Sequence, residues 1–96
     1  MPDLSKTKSY IGFAIKSGKI VYGVDNILKT NRAYVALLDG ELAPNSSKKA
    51  KAHLESKQIP YFVADLTLYL NKQNCKAIAI TDANLSDAII KQFKES

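Results

Sequence analysis

The chain is predicted to be an α/β protein, a three-layer α/β/α sandwich around a central four-stranded mixed sheet. Three observations predict it. Short apolar runs of strand length recur along the sequence, most clearly Tyr34-Val-Ala-Leu-Leu38 and Ala77-Ile-Ala-Ile-Thr81. Segments with helical apolar spacing lie between them, and polar or Gly/Pro punctuation separates one kind from the other. Strands alternating with amphipathic helices are satisfied when helices cover both faces of one sheet.

The elements follow in order. From Leu4 or Ser5 to Lys16, residues Tyr10, Ile11, Ala14 and Ile15 form most of an apolar helical stripe, and Gly18 lies at its end. Ile20 to Tyr22 makes a short strand. Gly23 releases the chain into a helix from Val24 to Thr30, with Ile27 and Leu28 towards the core and Asp25 placing negative charge in the first turn. Tyr34 to Leu38 reads as a buried strand that feeds a loop at Asp39-Gly40. A helix from Asn45 to Lys57 follows, with Ala50 and Leu54 on one side and Lys48, Lys49, Lys51 and Lys57 largely elsewhere. Pro60 stops it before the strand Tyr61 to Ala64. Leu66 to Lys72 reads as a short helix or turn-rich crossover, Ala77 to Thr81 as the clearest buried strand, and Asn84 as the cap of a last helix bearing Leu85, Ala88, Ile89 and Phe93.

With 96 residues the chain has room for one domain spanning positions 1–96. Its formal net charge of +5 favours an anionic partner, although nine acidic residues require any positive face to be local. The lone Cys75 has no internal disulfide partner and belongs to no Cys-rich metal pattern, so it reads as a core-edge residue. Neither a secretory leader nor an apolar run of membrane-spanning length is visible, which makes the cytoplasm the expected address and leaves the membrane out of the expected partners.

Catalysis is not expected. His53 sits between lysines without a nucleophile or a metal-ligand constellation, Asp65 and Asp82 bound secondary elements, and the spacing of Gly12, Gly18 and Gly23 fits neither a dinucleotide fingerprint nor a Walker loop. No cofactor is expected either.

The segment from Lys16 to Lys29 carries the chemistry instead. A helix end, a short strand and a glycine-led helix start meet there, with three lysines around them, an arrangement suited to phosphate. Lys16, Lys19 and Arg32 are candidate phosphate contacts, and Lys48 or Lys49 extends the basic patch.

Four segments, Ile11-Gly-Phe-Ala-Ile-Lys-Ser-Gly-Lys19, Gly23-Val-Asp-Asn-Ile-Leu-Lys29, Asn45-Ser-Ser-Lys-Lys49 and Ile78-Ala-Ile-Thr-Asp82, follow one another in an order and spacing that resemble the kink-turn RNA-binding ribosomal protein family. That family includes archaeal L-seven-Ae, eukaryotic L-thirty-e and small bacterial relatives, and the resemblance covers nearly the full chain. It implies the three-layer fold and recognition of a sharply bent RNA with tandem sheared G·A pairs. The partners it implies are ribosomal RNA or another kink-turn-containing RNA, in the company of ribosomal proteins.

The family's glycine, asparagine, glutamate and lysine pattern falls on Gly23, Asp25, Asn26 and Lys29. The resemblance gives Gly23 a close approach of backbone to the groove, Asp25 and Asn26 the edges of noncanonical pairs, and Lys29 a phosphate or base edge. Only Asn26 keeps an amide, and for Asp25 helix capping is the competing role. The loop from Asp39 to Asn45 approaches RNA in the family, which makes Glu41, Leu42 and Ala43 candidate contacts, with core cover as the alternative for Leu42. Residues 65–74 depart from the family, being shorter and without its Leu-Gly. Tyr61 and Tyr69 are stacking candidates with packing as the stronger reading.

The competing function is a ribosome-associated protein assembly module presenting Tyr10 and Phe93. Oligomeric state is open at this level, since an RNA-binding monomer needs no homodimer interface.

Overall fold

The sheet of this chain is built around its two most apolar runs, which lie side by side at its centre. In the computed structural model, which describes residues 3–70 and 75–94, strand β2 (Val35–Asp39) and strand β4 (Ala77–Ile80) pair antiparallel, with Leu37 opposite Ile78. β1 (Ile20–Tyr22) pairs antiparallel with the other edge of β4, and β3 (Tyr61–Ala64) pairs parallel with β2. The order is β1-β4-β2-β3, so β1, β2 and β3 run one way and β4 runs against them.

The period of two along the central strands divides the core. Val35, Leu37, Ile78 and Ile80 face one way and join Ile11 and Ala14 of helix α1 (Leu4–Lys16) and Ile89 of helix α4 (Ala83–Lys94). Ala36, Leu38, Ala77 and Ala79 face the other way and join Ile27 of helix α2 (Val24–Lys29) and Ala50 and Leu54 of helix α3 (Pro44–Ser56). The predicted three-layer α/β/α sandwich with a four-stranded mixed sheet is the fold observed. The branched residues lie under α1 and α4, while the α2 side is floored largely by alanine.

Local chemistry sets the helix ends. Asp3 caps α1 by accepting from the Lys6 N–H at 3.0 Å. Its far end closes as a Schellman motif in which Gly18, at φ +70°, lets the Lys19 N–H reach the Ala14 carbonyl at 2.8 Å. α3 ends the same way, with Ile59 donating to Leu54 at 2.8 Å, but Gln58 occupies the left-handed position at φ 58°. α3 begins with Pro44 in its first turn and Ala43 as N-cap, one residue earlier than the Asn45 start predicted.

Other boundaries also differ from expectation. Asp82, not Asn84, caps α4: its Oδ1 accepts from the Leu85 N–H at 2.9 Å, and its carbonyl accepts from Ser86 at 3.0 Å. β2 begins at Val35 and includes Asp39, so Tyr34 lies outside the strand and is 51% exposed. Of the predicted Leu66-to-Lys72 crossover, Leu66–Leu68 forms a single 3-10 turn, and the part beyond position 70 lies outside the described residues. Among the described residues no helix is long and apolar enough to cross a membrane.

Candidate nucleic-acid interface

The start of α2 is shaped by a backbone conformation only glycine adopts readily. Gly23 has φ +84° and ψ 153°, and a Cβ there would meet nothing within 4 Å. Glycine is needed for the turn, and the space beside it is open. Its own N–H donates to the Ala77 carbonyl at 2.8 Å, so this amide is committed to the sheet and is not a phosphate donor. Because Gly23 is the N-cap, Asp25 does not cap the helix; it sits exposed in the first turn.

Asn26 and Lys29 are one turn apart and both exposed. The Asn26 Nδ2 donates to the Tyr22 carbonyl at 2.9 Å, which ties the amide to the outer edge of β1. A primary amide has a second N–H and an acceptor oxygen to offer a partner. Both residues line a shallow depression of about 430 Å³ whose other walls are Ile20, Val21, Tyr22 and Thr30. Burial raises the Tyr22 phenol above its ordinary pKa, with a smaller contribution from Cys75.

The sequence candidates divide between the two ends of the sheet. Gly23 lies opposite Ala77, and Asp39 donates to the carbonyl of the adjacent Lys76, so Gly23 and the loop bearing Glu41, Leu42 and Ala43 share one end. At the other end the Thr81 N–H donates to the Lys19 carbonyl at 3.0 Å and the Tyr34 N–H to Ile80 at 2.8 Å. Lys19, Arg32 and Lys16, the last in the final turn of α1, gather there and are exposed. The three residues of β1 separate the two ends by roughly 10 Å. α2 spans that gap, with Asp25 and Asn26 near the Gly23 end and Lys29 near the cations.

The Gly23 end is the more acidic one. Asp39, 6% exposed, accepts from the Glu41 N–H at 2.8 Å through Oδ1 and from the Leu66 N–H at 3.0 Å through Oδ2. It holds the loop and the 3-10 turn together. Glu41 is exposed and pairs with Lys76 at 3.4 Å. Leu42 is half-buried against the core under α2 and α3, its predicted alternative role, while Ala43 is exposed. Lys48 and Lys51 line a separate depression along α3 with Leu42, Pro44, Ser47 and Glu55.

The aromatic candidates resolve unevenly. Tyr69 is 8% exposed in the core, and Tyr61 donates its hydroxyl to Glu55 at 2.8 Å. Tyr10 and Phe93 pack against the core, and the Phe93 ring stacks on Phe62 at a centroid distance of 5.2 Å. His53 meets the Thr30 carbonyl at 3.2 Å, joining α3 to the end of α2, and Cys75 is half-buried with its thiol on the Ala77 carbonyl. Among the described residues no three His, Cys, Asp or Glu side chains group as metal ligands.

No family model matches the chain, and no curated protein matches it. Its fold is similar to that of a solved protein with unknown function from Bacillus halodurans, with a TM-score of 0.84 and 20% identity over 93% of this chain and 97% of that one. At that identity the likeness is one of fold.

Proposed function

We propose that this chain is a noncatalytic RNA-binding protein that recognises a folded, kink-turn-like RNA, such as ribosomal RNA, in a cytoplasmic ribonucleoprotein. The observation that supports this reading best is the shared depression of Asn26 and Lys29 along the edge of β1, which leads to the cations at the Lys19 end. Lys29, Arg32, Lys19 and Lys16 attract phosphates and set the RNA's position. Asn26 and Asp25 meet base edges where noncanonical pairs open a groove. Gly23 keeps the start of α2 free of a side chain. Glu41 and Ala43, at the more acidic end, border the RNA and contribute little attraction.

The test is binding of a kink-turn RNA and a length-matched duplex across a salt series. Preferential binding to the kink-turn RNA is expected, falling steeply with salt. Lys29→Ala should weaken binding and lower the salt slope by about one. No binding at low salt, or equal duplex binding unaffected by Lys29→Ala and Asn26→Ala, would overturn the reading. Salt-resistant capture of protein that survives RNase would point to an assembly module instead.

A further inference from the structure

Tyr34 is a large aromatic residue at the head of an apolar run, yet half its surface faces solvent. The backbone beneath it is fixed. Its N–H donates to Ile80 at 2.8 Å, and two residues earlier the Arg32 N–H donates to the Thr30 hydroxyl at 3.3 Å, holding the turn that leads out of α2. Tyr34 borders a depression of about 380 Å³ together with Asn31, Arg32, Ala33 and Thr81. The residues around it carry an aromatic ring, a guanidinium, an amide and a hydroxyl. Lys19 lies across β4, roughly 10 Å away by the spacing of two strands.

Resting on the RNA-binding reading, we propose that Tyr34 is a stacking platform for one unpaired nucleobase in a single-stranded flank of the bound RNA, whose phosphates lie on Arg32 and Lys19. The placement follows the chain. Asn26, Lys29 and Arg32 descend along α2 and the turn after it, so an RNA strand following them arrives at Tyr34. A tyrosine has only two side-chain torsions to immobilise, and stacking needs no particular base, because every base offers a π face. Asn31 and Thr81 stand at the rim, where they can meet the polar edge of the stacked base. The cations around the ring favour nucleic acid over a neutral apolar partner.

The experiment compares a blunt kink-turn RNA with the same RNA carrying three extra unpaired adenosines at its 5′ or its 3′ end, one of them replaced by 2-aminopurine. One of the two extensions should tighten binding by roughly fivefold or more and quench the 2-aminopurine on binding. Tyr34→Phe should keep the gain. Tyr34→Ala and Tyr34→Leu should lose it while binding blunt RNA within about twofold of the parent, and their circular dichroism shows whether they are folded. The leucine variant keeps apolar bulk without a π face, so it separates stacking from burial. If neither extension helps, or if the gain survives in either variant, the stacking role is overturned while binding of blunt RNA stands. If the parent protein binds no blunt RNA at low salt, both readings fail.

Discussion

The side-chain amide of Asn26 donates to the Tyr22 carbonyl at 2.9 Å, so the residue proposed to read RNA is also the one that covers an outward-facing carbonyl of the edge strand. The two roles come apart on substitution. Asn26→Ala should cost roughly 0.5–1 kcal/mol in urea denaturation, as expected for one partly solvated hydrogen bond. Asn26→Asp should weaken RNA binding more than Asn26→Ala does, because a second carboxylate beside Asp25 repels phosphate and has no N–H to give Tyr22. Filter binding at two salt concentrations checks this: the gap between the variants should narrow as salt rises.

Asp39 is a buried carboxylate with two backbone donors, one from the loop that follows β2 and one from the 3-10 turn 27 positions on. Asp39→Ala should destabilise by roughly 2 kcal/mol or more, since the Glu41 and Leu66 amides lose a charged acceptor. Hydrogen exchange should show Leu66 among the first amides to lose protection.

Gln58 holds the left-handed position that closes α3. Gln58→Gly should stabilise the protein by about 1 kcal/mol, because the steric cost of a Cβ at positive φ disappears while the bond from Ile59 to Leu54 stays. Gly18→Ala, the reverse change at the end of α1, should destabilise by a similar amount. Thermal or urea unfolding of the two variants reads both signs.

Tyr69 is raised above the ordinary tyrosine pKa of 10.0, mainly by burial and secondarily by Asp65. Its neutral form is therefore favoured in the folded state. The sign fixes the window: this contribution is fully present below 10, the unfolded value, and is lost as pH rises through the higher folded value. Unfolding free energy followed from pH 8 to 11 should fall at the alkaline end, and Tyr69→Phe should fall less over that range.

How much of this was legible depended on whether the cause was local. The runs 34–38 and 77–81 read as buried strands because almost every position in them is apolar, and every residue of β4 is buried. Gly18 and Gly23 announced their turns because each takes a positive φ. Asp39 read as a loop residue, since the amide that justifies its burial lies 27 positions away at Leu66. The cap of α4 reads as Asn84 from the sequence, but Asp82 is an equally good cap type, and the register of the first turn decides for Asp82. Tyr34 was absorbed into a strand because nothing in an apolar run marks where pairing begins. The candidate contacts were found as a set, but their division between a basic and a more acidic end follows from the strand order β1-β4-β2-β3, which no single segment encodes.

The alanine floor beneath α2 bears on how the proposed interface would meet its target. Ala36 and Ala79 stand opposite each other in the ladder, and with Ala77 they make a floor of short side chains in the cluster that buries Ile27. Alanine cannot extend to follow a displaced helix, so shifting α2 would cost packing against this floor. The helix is thus mounted like a fixed jaw. On the proposed reading, what would flex on encounter is the tip of Lys29 and the nucleic acid itself, so selectivity would be exerted by how cheaply the RNA takes up the required bend, with the protein as the template against which that bend is measured.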